Sequence, residues 1–207
     1  MKDSKRASRG LKVLSRQSLE HALRRKLLKV DKSILSDPLD DQEIRDILGG
    51  VPVLKYSELS KYSSIDQLLP ENKSMIIILY QWGENIGHWV CVCKFNNQII
   101  YYDSYGGKPD EPLSWNSKSI NNELGQNYQY LKKLFDLCVN EVIYNPIQYQ
   151  KLSNDLATCG RHCCIWLLLM SNFNMGLHQY YEFMNQMKKS LNMDYDNIVS
   201  YLIDNQT

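Results

Sequence analysis

With 207 residues, 43% of them hydrophobic and 23% charged, the chain has the composition of an ordinary soluble globule and is long enough to bury a proper core as one domain. Its net charge of +1 excludes a bulk electrostatic preference for nucleic acid or membrane, and its longest apolar runs, residues 75–80 and 165–170, are far too short to span a bilayer. The even balance conceals an asymmetry: residues 1–33 hold eleven of the 24 basic residues but three of the 23 acidic ones, so a basic arm precedes an acidic domain at 34–207.

Residues 1–11 are polar, basic and aperiodic, the pattern of a loosely attached segment. From Ser18 onward, Leu19, Leu23, Leu27 and Val30 recur at helical spacing with basic residues between them, which predicts a basic amphipathic helix. Asp40-Asp41-Gln42-Glu43 reads as the capped start of a short helix through Ile47, ended by Gly49-Gly50, and another helical piece is predicted over 56–69, closed by Pro70. The first β signal is Met75-Ile76-Ile77-Ile78-Leu79-Tyr80, an unbroken apolar run suited to a strand buried on both faces. After a turn at 83–87 the chain returns over 88–95, turns at Asn96-Asn97 and runs out again over 98–103, giving three strands of an antiparallel meander. Residues 104–122, with two glycines, Pro109 and Pro112, read as a long surface connection. Tyr130, Leu131, Leu134, Phe135 and Cys138 mark a helix, Val142-Ile143-Tyr144 a short strand, and 145–158 a loop. A helix opening near Cys159 carries the run 165–170; Phe183, Met187 and Leu191 mark a second, and a last one runs from about Asp196 to Ile203. The class implied is α+β, a central meander packed by helices.

Six cysteines, at 91, 93, 138, 159, 163 and 164, follow no secretory apolar segment, which predicts reduced, intracellular thiols. Cys91 and Cys93 alternate onto one strand face and Cys163 and Cys164 lie one helical turn beyond Cys159, so core packing is expected for all four. A zinc site from Cys159, His162, Cys163 and a distant cysteine lacks the separated CxxC pairs that would support it; no metal or other cofactor is expected.

Cys159 is different because of its place. Thr158-Cys159-Gly160 is a small polar turn just ahead of a strongly helical run, where helix-end amides and the helix dipole stabilise a thiolate. A cysteine nucleophile needs a base, a group that orients the base, and donors for the oxyanion. Of the four histidines, His88 starts a strand straight after a Gly-rich turn, where its imidazole can face a cleft. Asp103 ends the neighbouring strand, and a hairpin turning at Asn96-Asn97 brings 88 and 103 to one end of the sheet. The oxyanion donors are then the Cys159 backbone N–H and a side-chain amide from the preceding loop. Gln150 and Gln148 are both available, with Gln150 favoured for its shorter path. Gly160 would give a substrate backbone room to approach.

Gly87-His88-Trp89, then Tyr102-Asp103-Ser104, a loop glutamine and Thr158-Cys159-Gly160, in that order, resemble the adenovirus maturation protease and Ulp1/SUMO protease superfamily over roughly residues 75–170. Tyr149-Gln150 followed by a polar loop and Thr158-Cys159-Gly160-Arg161-His162-Cys163 looks most like the adenovirus-type proteases of virophages and related large DNA viruses or transposons. The resemblance implies a papain-like centre in permuted order and cleavage after small Gly-containing motifs during capsid maturation, with viral precursor polypeptides as substrates and a place in the virion or host cytoplasm. It also implies that Trp89 packs beside His88 and shields the imidazole. The family usually sets its glutamine five or six residues before the cysteine, whereas here eight residues separate Gln150 from Cys159.

Two other functions stay open on the sequence: a ubiquitin-like-protein isopeptidase using the same residues, and a non-catalytic scaffold or nucleic-acid binder acting through residues 1–33. DNA contact by the basic arm is compatible with either chemistry, and the adenovirus enzyme resembled is stimulated by DNA and by a peptide. Gly49-Gly50 resembles a cleavage sequence of the implied type, although a helix-ending glycine pair is the favoured account of it. A monomer without membrane contact is expected.

Overall fold

The computed structural model describes residues 32–204; the amphipathic helix predicted from Ser18 lies outside them. The elements are α1 (Lys32–Ser36), α2 (Asp41–Leu48), β1 (Val53–Lys55), a 3-10 turn (Tyr56–Lys61), α3 (Ile65–Leu68), β2 (Met75–Gly83), β3 (Ile86–Phe95), β4 (Gln98–Tyr102), a second 3-10 turn (Glu111–Trp115), α4 (Lys118–Glu123), α5 (Tyr130–Asp136), β5 (Glu141–Tyr144), α6 (Cys159–Phe173), α7 (Leu177–Leu191) and α8 (Tyr195–Asp204). The strands lie in chain order, with β2, β3 and β4 forming the antiparallel meander and β1 and β5 added in parallel at the two edges.

Because successive strand side chains point to opposite faces, the unbroken apolar run of β2 feeds two cores. Ile77 and Leu79 join Trp89, Cys91, Cys93, Ile100 and Tyr102 under α2, α6, α7 and α8. Ile76, Ile78 and Tyr80 join Val90, Val92, Ile99 and Tyr101 under the first 3-10 turn, α3 and α5. Helix α6 is buried from Cys159 to Met170, the behaviour of a helix that is apolar all round, so it runs through the larger core with the sheet on one side and α8 on another. Cys91, Cys93, Cys163 and Cys164 are free thiols packed in that core.

The α+β class is the one observed, and α2 begins and ends as predicted: Asp40 and Glu43 form a reciprocal capping box and Gly49 takes a left-handed backbone. Three local expectations are corrected. The helical piece predicted over 56–69 divides into a 3-10 turn and the single turn α3. Strand β1 was not predicted, since three residues are too few to show a period. The segment 104–122 is no plain surface connection: it holds a 3-10 turn and α4, and Asp110 and Asn121 are buried.

Candidate active site

The β3–β4 register pairs Cys91 with Tyr102, so Asp103 emerges from β4 close to the start of β3, where His88 sits across from Tyr80. His88 Nε2–H donates to Asp103 Oδ1 over 2.8 Å, and the same oxygen accepts the Tyr105 backbone N–H at 2.8 Å. The Cys159 side chain is near enough to His88 to raise its pKa as well, which groups base, orienter and nucleophile at one place. Both members of the His–Asp pair are withdrawn from solvent, His88 at 1% exposure and Asp103 at 0%. Burial pulls the imidazole pKa down, but the Asp103 carboxylate and the Cys159 side chain outweigh it and push His88 up to about 10.

Gly87 makes this placement achievable. A Cβ there would stand 1.9 Å from the Tyr80 carbonyl oxygen, so only glycine permits the close strand pairing that delivers His88 to the sheet end.

The rings against the imidazole belong to Tyr105, stacked at 4.9 Å, and Trp115, tilted at 5.2 Å. Trp89, expected to shield His88, turns to the opposite sheet face by strand alternation and donates its indole N–H to the Leu39 carbonyl. Tyr105 and Trp115 are held over the base by Asp110, midway between them. Its carboxylate accepts from Tyr56 Oη at 2.6 Å, Tyr80 Oη at 3.2 Å and the Lys132 amide at 2.8 Å. Their spacing in a Pro- and Gly-containing loop gave no sign of this in the sequence.

Cys159 is the first residue of α6 and is 6% exposed. Thr158 stands at the N-cap position but does not cap the helix with its side chain; its hydroxyl donates to Asp196 Oδ1 at 2.6 Å. The first-turn amides of α6 therefore lack a side-chain acceptor, at the end of the helix where the dipole favours negative charge. Gly160 is not open to a substrate, contrary to expectation: a Cβ there would meet Trp89 Cδ1 at 3.2 Å and Leu39 Cβ at 3.3 Å, so the glycine serves helix packing.

The two candidate glutamines are placed differently. Gln150 is 1% exposed; its Oε1 accepts the Ser104 hydroxyl at 2.8 Å and its backbone N–H donates to the Ser104 carbonyl. With Oε1 so engaged, Nε2 is the end of the amide left to donate. Gln148 is exposed and uses its own Nε2 to bond the Gln150 carbonyl at 3.0 Å, so it braces Gln150.

The turn around Cys159 is strapped from the N-terminal side. Alternate backbone carbonyls of residues 35, 37 and 39 accept from the Ala157 amide, the Arg161 guanidinium and the Trp89 indole. A groove of about 450 Å³ opens beside the strap, walled by Leu39, Val53, Leu79, Trp82, Ile86 and Trp89 and reaching Gly87 and Ala157 next to the site. Trp82, on its wall, is 45% exposed, and its ring lies 6.4 Å from that of Trp115, 46% exposed.

No family model matches the chain. Over 151 residues, 72% of this chain and 84% of the other, it is 30% identical to the uncharacterized protein V9 of Sputnik virophage. The chain belongs to the V9 family. Among solved structures, this V9-family chain is similar to a protease of ASFV, with a TM-score of 0.47 at 11% identity, covering 92% of this chain and 79% of that one. It is also similar to the C-terminal Ulp1 protease domain solved in complex with Smt3, the yeast ortholog of SUMO, with a TM-score of 0.31 at 15% identity over 90% and 81% of the two chains. Among the described residues, no group of three His, Cys, Asp or Glu side chains converges as a metal site, and no helix is long and apolar enough to cross a membrane.

Proposed function

We propose that this V9-family chain is a cysteine endopeptidase of the adenovirus-protease and Ulp1 type, working through His88, Asp103, Cys159 and Gln150. The observation that carries the reading is the buried imidazole with Asp103 on Nε2 and Cys159 near enough to act on its pKa, at a helix end free of a side-chain cap. In this mechanism the proton of Cys159 moves to His88, whose environment favours the imidazolium. The thiolate sulfur attacks the scissile carbonyl carbon, and the oxyanion is held by the Cys159 N–H and Gln150 Nε2. The imidazolium then protonates the departing amine as the C–N bond breaks. A water, deprotonated by His88, hydrolyses the thioester and restores the thiol.

The groove, whose lining includes Ala157 two residues before Cys159, fits an extended polypeptide approaching the sulfur, and its apolar walls fit apolar side chains upstream of the cut. Tyr105 and Trp115 crowd the imidazole, which favours glycine at the scissile position. Kinship with a virophage protein supports viral precursor polypeptides as the substrates, cleaved during particle maturation. Residues 1–33 are proposed as an arm that contacts DNA, with eleven basic side chains against three acidic.

The test is turnover of Gly-containing peptides by the wild type and by Cys159→Ala. Cleavage that survives the substitution removes the proposal. A ubiquitin-like C-terminal probe that labels Cys159 while no peptide is cut would move the function to an isopeptidase.

A further inference from the structure

Asp196 sits in the first turn of α8 and is 1% exposed. A carboxylate so far from water is tolerated when its oxygens are hydrogen-bonded, and the three groups that satisfy this one all flank the candidate site. Oδ1 accepts the Thr158 hydroxyl at 2.6 Å and His162 Nε2–H at 3.1 Å, one partner immediately before Cys159 and the other one turn after it. Oδ2 accepts the backbone N–H of Lys151, the residue after Gln150, at 3.2 Å, and the Lys151 ammonium pairs with Asp194, two residues before Asp196.

We infer that Asp196 is a positioning residue that fixes the Gln150 amide and the uncapped end of α6 relative to each other, so that both oxyanion donors converge on one point. The inference rests on the peptidase reading of Cys159 and deepens it. Two observations call for such a residue. The eight residues between Gln150 and Cys159 form a loop too long to set the distance between the donors by chain connectivity. Ser104 holds Gln150 from the sheet side, but it has no hydrogen bond to α6. Asp196 bonds both segments through one rigid carboxylate. It also draws the Thr158 hydroxyl away from the amides that an N-cap threonine would ordinarily cover, and so keeps the helix end open to a developing oxyanion.

The experiment compares two reactions of the same sulfur. Iodoacetamide alkylates Cys159 by displacement at carbon with no oxyanion, whereas p-nitrophenyl acetate acylates it through a tetrahedral oxyanion and releases p-nitrophenolate. Neither reagent depends on the natural substrate, and peptide mass assigns each product to Cys159. Asp196→Asn is expected to slow acylation about ten- to a hundredfold, as for a displaced oxyanion donor, while alkylation stays within about threefold because His88 and Asp103 are untouched. Thr158→Val should move acylation the same way by a smaller factor and Thr158→Ser should keep it, which carries the test if Asp196→Asn fails to fold. Acylation and alkylation that fall together across these variants, or acylation that does not change, overturn the inference and leave the nucleophile in place. A wild-type Cys159 that reacts with both reagents no faster than a small free thiol overturns the peptidase reading and the inference together.

Discussion

Asp103→Asn changes one charge and almost no volume, and the structure states what that charge does. Asparagine can still accept from His88 Nε2 and from the Tyr105 amide, so the loop over the base keeps its anchor. The imidazole loses the strongest influence raising its pKa, while burial, which lowers it, is unchanged. In the wild type His88 moves from 6.5 to about 10, a change of about 3.5 pH units worth roughly 5 kcal/mol at 1.36 kcal/mol per unit. The folded state binds this proton more tightly than the unfolded chain. The contribution is therefore complete below pH 6.5 and fades as pH rises through about 10, at up to about 1.4 kcal/mol per pH unit between. Urea unfolding of wild type and Asp103→Asn at pH 6.5, 8 and 9.5 measures this contribution. The wild type should hold an advantage at pH 6.5 that shrinks by a few kcal/mol by pH 9.5. The difference between the proteins is the quantity that matters, because buried thiols such as Cys93, pushed up to about 12 by burial, weaken both folds in alkali. Parallel stability curves for the two proteins would refute the view that Asp103 holds a proton on His88.

Gly87→Ala should lower stability by about 3 kcal/mol or more and abolish the reactivity of Cys159, since a methyl 1.9 Å from the Tyr80 carbonyl forces β3 and His88 to move; thermal melting and alkylation rates report both. Gln150→Ala should reduce peptide turnover about a hundredfold and Gln148→Ala only a few-fold, because only Gln150 has Nε2 to spare. Deleting residues 1–31 should leave Cys159 alkylation unchanged and remove salt-dependent DNA binding. Deleting 1–39 removes the acceptors of Ala157, Arg161 and Trp89, at about 1–3 kcal/mol for each stranded donor, and should leave no cooperative melting transition.

What the sequence made legible was set by local pattern. The apolar run 75–80, the Asn96-Asn97 turn and the alternation of β3 fix a hairpin register, and that register alone brings His88 to Asp103. The capping box at Asp40 was readable because both of its members lie within four residues. What was hidden depends on distant partners. Tyr105 and Trp115 reach His88 because Asp110 anchors their loop to Tyr56 and Tyr80, residues 54 and 30 positions away. Asp196 reads as an ordinary acidic residue in a helix's first turn, and nothing near it in the chain announces Thr158, His162 or Lys151. Trp89 and Gly160 are corrected together, since the indole packs on the glycine in the larger core: Trp89 does not cover His88, and Gly160 gives a substrate backbone no room.

The end of β4 couples two halves of the proposed chemistry through adjacent residues. The Asp103 side chain holds the base, while the hydroxyl and carbonyl of Ser104 hold the amide and backbone of Gln150. Asp103 and Ser104 lie just past β4 where the chain enters a turn, and this one short segment serves a histidine on β3 and a glutamine on the loop before α6. The Asp103 carbonyl is in turn pinned by Asn145 Nδ2 at 2.8 Å, at the start of that same loop. A displacement of this strand end by even one residue would exchange the roles of the two side chains and separate base and oxyanion donor from Cys159 at once. The unusually long spacing from Gln150 to Cys159 is therefore compatible with a working site. The glutamine is located by Ser104 on one side and through Lys151 by Asp196 on the other, and the intervening loop is left to close the gap.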